Sequence, residues 1–506
     1  MGGLPVAALI VYSLCQIVLA VFHEPWRDES QAWLIARDSG VWQAVAVVSR
    51  EEGHPPLWSL LLMPLAKSGA PFWSMRVLSV SIMIAAAALF MKSRGPLWFR
   101  VTVLFTSCFF YWTSVVSRSY CLVALAAALL AFLYPKRIAR PWVFAVVVAA
   151  MFQIHAVVFG FAGALALVQA FELREHGRSM WPFILPVVSA VIAFFELVGG
   201  MDKAFELPGD VYEHLLYLVS GQCPTSGFLG TAGADWTLVF VAMIVCAALV
   251  TLTMLSPRAG FVQWCGLLWF LFVHLVIHPL GSLQKVSAWL CLFLLIPAFT
   301  SELVQSRPAR HSVDRPRDAP WRSGDLFRLA TSLTLVPCLL TVPATMQYAF
   351  MDLRGPFSVG EELASLIDNV SREETVLVPI DDMGSQYAVS NALPYLRKGQ
   401  TMWSSSVDSE MSYATADFRE YWTLHSGVSD EEAPSRTART IDESLAGREG
   451  QMLVVACTEA ADMGLAQSFQ ADPRYTRLGS IREDSVDESL RGYGGIRCGV
   501  YEYERR

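Results

Sequence analysis

Residues 5–22 read "PVAALIVYSLCQIVLAVF", and residues 24–38 read "EPWRDESQAWLIARD". The first run is uncharged and close to the roughly 20 residues a helix needs to cross a hydrocarbon core. The second brings Arg27, Asp28 and Glu29 to the end of that span. Charge placed there is either an ordinary solvated loop or a site at the membrane face. The first run lacks a basic start and has a poor cleavage site near Ala20, so it reads as an uncleaved signal anchor.

The same apolar texture recurs outward from this point. The chain has 506 residues, 54% hydrophobic and 16% charged, which is too apolar for a soluble globular protein. About eleven spans are expected, at 5–22, 72–91, 98–117, 120–134, 142–157, 159–173, 181–199, 236–255, 263–280, 286–303 and 327–347. The charge is split along the chain. Residues 351–506 carry 27 acids and 15 bases, a net −12. That leaves 18 of the 45 acids and 23 of the 38 bases for residues 1–350, a net +5. The expected fold is a polytopic α-helical membrane domain over 1–348, followed by a soluble domain over 349–506.

Basic residues gather in cytoplasmic loops. The loops "MKSRGPLWFR", "YPKRIARP" and "LREHGRS" and the strongly basic segment 306–328 are therefore expected inside. The N-terminus is then cytoplasmic, while the first loop, 23–71, the loop 200–235 and the C-terminal part are extracytoplasmic. Residues 57–66, "LWSLLLMPLA", are too short to span and read as an interfacial helix started by Pro55 and Pro56. Segment 40–49 reads as a second one, with Trp42, Val45 and Val48 on one face.

The C-terminal part alternates helix-like and strand-like runs. "GEELASLIDNV", "TVLVPI", "RTIDESLAG", "QMLVVAC" and "RCGVYEY" suggest a small α/β domain. It has no glycine-rich phosphate loop and no nucleophile elbow. Eight of the ten cysteines lie before it. Cys457 and Cys498 sit in strand-like runs, either bridged or as two free thiols.

Ionisable groups near apolar spans mark sites, pairings or pathways. Those of interest all fall toward the expected outer face: Asp28, Glu29, His54, Arg118, Tyr120, His155, His274, His278 and Lys285. Asp28 reads as a helix-start acid or as a base toward an acceptor. His54, before a double proline, reads as a capping residue or a substrate ligand. Arg118, in "VVSRSYCL", and Lys285, in "PLGSLQKVSAW", read as interface anchors or phosphate contacts. His155 reads as a buried core histidine. His274 and His278 have helical metal-ligand spacing without a third ligand nearby, so a packed pair is favoured over a metal.

In order, "WRDESQAWLIARD", "GHPPLW", "SRSY" and "QKVSAWLCLFLLIP" resemble the GT-C glycosyltransferase superfamily. The likeness is to the branch holding protein O-mannosyltransferases and lipid A aminoarabinose transferases. It is good over about residues 5–135 and looser beyond. It implies Asp28 as the catalytic residue, with Glu29, His54, Arg118, Tyr120 and Lys285 as substrate-binding residues. An arginine-tyrosine pair usual in the late motif is replaced here by Lys285 and Val286.

The resemblance further implies a polyprenyl-phosphate-sugar donor and an acceptor that is a glycan, lipid or protein. It implies inverting transfer at the outer face of the cell (inner) membrane, with no nucleic acid and no certain cofactor; a divalent metal stays open. The competing reading is a transporter or flippase of a lipid-linked or anionic substrate. That class spreads polar groups through both leaflets and often shows repeats, neither of which is seen in the sequence.

Overall fold

The computed structural model describes residues 3–198, 225–274, 283–305, 323–354, 359–372, 374–380, 383–396, 400–404, 409–413, 431–459, 464–482 and 496–504. His278, residues 200–224 of the second outer loop and residues 306–322 of the basic loop lie outside these. The chain packs as two units.

The helical unit comprises 1–21, 53–58 and 76–350. Among the described residues, four helices are long and apolar enough to cross a membrane: Gly3–Phe22, Ser74–Lys92, Ala156–Glu175 and Gly324–Arg354. Shorter apolar helices accompany them, among them Tyr120–Lys136, Pro141–Met151, Trp181–Leu197 and Gln284–Thr300. Leu4, Ile10, Leu14 and Val21 on the first helix are half-exposed or more. An apolar flank of that extent suits lipid rather than water.

The expected span over 98–117 is not one helix. Leu97–Val103 is helical, and the chain then runs in turns to Ser119. The reason lies in its side chains, because Ser and Thr compete for backbone groups that a helix would use. The Thr113 hydroxyl donates to Cys108 O at 2.8 Å, Tyr12 to Phe109 O at 2.6 Å and Ser79 to Ser114 O at 2.7 Å. Thr106, Ser107, Thr113, Ser114 and Ser117 are all fully buried. Non-helical backbone at membrane depth is tolerated when it is enclosed by protein in this way. The 286–303 run is likewise divided, into Leu283–Phe293 and Ile296–Gln305, with Pro297 in the first turn of the second piece. Elsewhere glycine allows close approach. At Gly160 a Cβ would overlap Trp269, where Phe159–Glu175 meets Pro257–Phe272.

The second unit comprises 22–52, 59–75 and 351–506. Its six-stranded mixed sheet has β1 (Val376–Pro379), β2 (Thr401–Ser404), β3 (Ser409–Met411), β4 (Met452–Glu459), β5 (Tyr475–Arg482) and β6 (Ile496–Tyr503) in the order β3-β2-β1-β4-β6-β5. β1 runs parallel to β2 and β4, and the other pairs are antiparallel. Alternate residues of a strand face opposite sides, and both sides are covered. Val454, Ala456 and Tyr501 meet Ala438 and Ile441 of helix Ala433–Ser444 and Phe469 of Gly464–Ala471. Leu453, Val455 and Val500 meet Leu363 and Ile367 of Gly360–Val370 and Val389 of Met383–Ala392.

This second core also contains Leu34, Ile35 and Val48. The first loop is therefore built into the same body as the C-terminal sheet. Burying each of these side chains contributes about 1.5–3 kcal/mol. Polar ties add to it: Arg37 Nη1 donates to Leu393 O at 3.2 Å, and Gln43 Nε2 donates to Tyr413 OH at 2.8 Å. Within the expected 40–49 helix, Val48 is buried and Trp42 is 79% exposed.

Cys457 and Cys498 stand directly opposite on β4 and β6 and are bridged, with Cα atoms 4.1 Å apart. The 41-residue separation makes the bridge worth about 2–4 kcal/mol, mainly by restricting the unfolded chain. Dithiothreitol is expected to lower the thermal unfolding temperature of the full-length protein accordingly. An unchanged temperature in the Cys457→Ser/Cys498→Ser double variant would show that the bridge carries no stability.

Candidate functional site

Among the described residues, two groups of candidate side chains are formed, one in each unit. In the second unit, helix Arg27–Asp38 starts after Trp26, and its acids lie in the first turn, where exposed backbone N–H groups favour negative charge. Glu29 faces inward and is fully buried. Its Oε2 accepts from the Trp26 backbone N–H and from His23 Nε2, both at 2.9 Å. The other His23 nitrogen, Nδ1, donates to Asp352 Oδ2 at 2.7 Å. Burial alone would push the His23 imidazole down. The two carboxylates outweigh that and hold it at about 10, so it is an imidazolium at neutral pH.

Glu29, expected to touch substrate, is thus occupied in fixing the helix start. Asp28, one residue earlier, is exposed on the same turn. The Arg27 guanidinium lies 4.5 Å from the centre of the Tyr387 ring, a cation–π contact that ties the helix start to helix Met383–Ala392.

In the helical unit the common neighbour is His155. It sits in the link between helices Pro141–Met151 and Phe159–Glu175 and is 2% exposed. Gly53, at φ +66°, turns the chain, and His54 Nδ1 donates to the Gly53 carbonyl at 2.8 Å. Leu57 N then donates to Gln153 O at 3.3 Å. This docks the "HPPL" turn on the His155 link and sets the two imidazole rings 4.7 Å apart. Tyr120, the buried first residue of its helix, has its ring 5.0 Å from His155. His54, Lys285, Arg118 and His274 all lie close enough to interact electrostatically with His155. Lys285 is 8% exposed, and Arg118 is half-buried.

The structure thereby gathers His54, Arg118, Tyr120 and Lys285 around one residue from four separate stretches of chain. Such a set of cations and N–H and O–H donors is fit to hold an oxyanion. Among the described residues no group of three or more His, Cys, Asp or Glu is arranged to hold a metal. His274, one of the two histidines at helical spacing that read as a packed pair rather than a metal site, donates Nδ1–H to Phe270 O at 2.8 Å. His23 and Asp352 were not singled out from sequence. Their signal was position: each stands at the end of an apolar helix, where an ionisable group needs a partner. No family model matches the chain, and no curated protein and no solved structure matches it.

Proposed function

We propose that the protein is an integral membrane glycosyltransferase that moves a sugar from a polyprenyl-phosphate donor to an acceptor at the extracytoplasmic face. The observation that carries this reading is the gathering of Arg118, Lys285 and His54 around His155 in the apolar helical unit. A lipid-linked phosphate is an anion delivered in an apolar setting, and that combination matches the cluster. The bridged Cys457–Cys498 pair supports an oxidising compartment for the C-terminal part, in keeping with basic loops on the cytoplasmic side.

In the proposed reaction the acceptor hydroxyl or amine gives its proton to a base, the role that the sequence resemblance assigns to Asp28. Its lone pair forms the new bond at the anomeric carbon as the carbon–oxygen bond to phosphate breaks. The bonding pair leaves with the lipid phosphate, and the anomeric centre inverts through an oxocarbenium-like state. Arg118 and Lys285 stabilise the charge gathering on the phosphate, so no carboxylic acid need protonate the leaving group.

The test is transfer from radiolabelled polyprenyl-phosphate sugars to envelope material. Label moved by the purified protein supports the reading and names the acceptor class. Flux of an intact lipid-linked substrate between leaflets with no transfer would replace it with the transporter. Arg118→Ala is expected to weaken donor binding about 10- to 100-fold, the worth of a hydrogen bond to a charged group. Equal donor affinity would make Arg118 an interface anchor.

A further inference from the structure

We infer that His155 is itself a ligand of the phosphate, presenting a neutral Nε2–H to one of its oxygens. The inference rests on the lipid-phosphate reading above and adds a residue to it. The ring's Nδ1 accepts the Val157 backbone N–H at 3.2 Å. A nitrogen that accepts cannot also carry a proton, so this bond holds His155 as the tautomer protonated at Nε2. Nε2 lies on the far side of the ring from that backbone contact. It is buried, with no hydrogen-bond partner among the described residues.

A buried donor is expensive to leave unmade. The surroundings narrow what satisfies it. His54, Lys285, Arg118 and His274 make the neighbourhood basic, which favours an anionic acceptor over another donor-bearing group. A phosphate oxygen is acceptor-only at neutral pH, and its siblings suit a guanidinium fork and an ammonium. His54 and His274 both turn their Nδ1–H toward backbone carbonyls. His155 has the opposite tautomer, which makes it the donor of the three at Nε2 in their neutral forms. The ligand class is a phosphate ester, arriving as a lipid headgroup or as free phosphate.

The experiment measures binding of farnesyl phosphate to the full-length protein in nanodiscs. Inorganic phosphate and phosphatidylglycerol are the comparison ligands. His155→Phe keeps a ring without a donor, and His155→Gln keeps an N–H at similar reach. The expected result is a loss of tenfold or more in farnesyl phosphate affinity for His155→Phe, and most of the affinity restored in His155→Gln. In the wild type the ¹⁵N–H resonance of His155 Nε2 moves when farnesyl phosphate is added.

Displacement by phosphatidylglycerol identifies a general lipid headgroup as the source, and displacement by inorganic phosphate identifies the phosphate alone. A parallel loss for that ligand in His155→Phe supports the inference. Undiminished binding in His155→Phe overturns it. So does equal impairment of the Phe and Gln variants, which would mark a packing role, and so does a wild type that binds none of the three ligands. The assay needs no transfer. Protein that binds farnesyl phosphate through His155 yet moves no sugar defeats the transferase alone. Transfer and binding both intact in His155→Phe defeat this inference alone.

Discussion

His23→Leu is expected to destabilise the second unit by about 3–5 kcal/mol, because removing one member of a buried ion pair strands the others. Glu29 and Asp352 would be left as two buried carboxylates without the imidazolium that bridges them at 2.9 and 2.7 Å. For a body of about 200 residues this corresponds to a fall of about 6–20 °C in melting temperature. The pH dependence follows from His23, which the fold holds at about 10 against an ordinary 6.5. A raised value means the folded state keeps a proton that the unfolded state gives up first. The stabilisation is therefore complete below about pH 6.5, declines as pH rises, and is gone once pH has passed about 10. Melting curves from pH 6 to 10.5 should show that decline in wild type and not in His23→Leu. Parallel curves for the two proteins would mean that His23 is not the charged hub.

Much of this was legible in the sequence, and the exceptions share a cause. Long uniform apolar runs such as 5–22 and 159–173 announce helices because their length and composition alone require it. The 98–117 run has the composition of a span, yet its Ser and Thr side chains take over backbone bonding and the helix ends at Val103. In the C-terminal part, β1 and β4 are apolar enough to be read directly. β2, "TMWS", and β3, "SEM", are too short to show a period, and β5 carries polar residues that mask its alternation.

The candidate site divided in the same way. Arg118, Tyr120, His54 and Lys285 stood out as polar groups beside apolar runs, and the fold brings them to one neighbour. That neighbour, His155, looked like a satisfied core histidine; only its hydrogen bonds show one satisfied nitrogen and one that is not. The partnership of Leu34 and Ile35 with Leu363 and Val389 joins residues more than 300 positions apart. No local pattern in "AWLIA" reveals which core it enters.

Asp28→Asn and Glu29→Gln are expected to fail in opposite ways, although the residues are adjacent. Asp28 is exposed, so its amide variant should shift the melting temperature only slightly, since an exposed acid in the first turn of a helix is worth about 0.3–1 kcal/mol. As the proposed base it should lose about 10²- to 10⁴-fold in transfer rate, the usual worth of a positioned proton acceptor. Glu29 is buried between the Trp26 N–H and the His23 imidazolium. Its amide removes the charge that answers His23, so that variant should melt at markedly lower temperature. Below that temperature Asp28 is still present, and transfer should survive wherever the helix start stays formed. The paired measurement is melting temperature and transfer rate on the same preparations. Transfer retained in Asp28→Asn would remove the base from the mechanism. Transfer abolished in a Glu29→Gln protein of normal stability would move the chemistry one residue along the helix, to a carboxylate whose other duty is to hold His23.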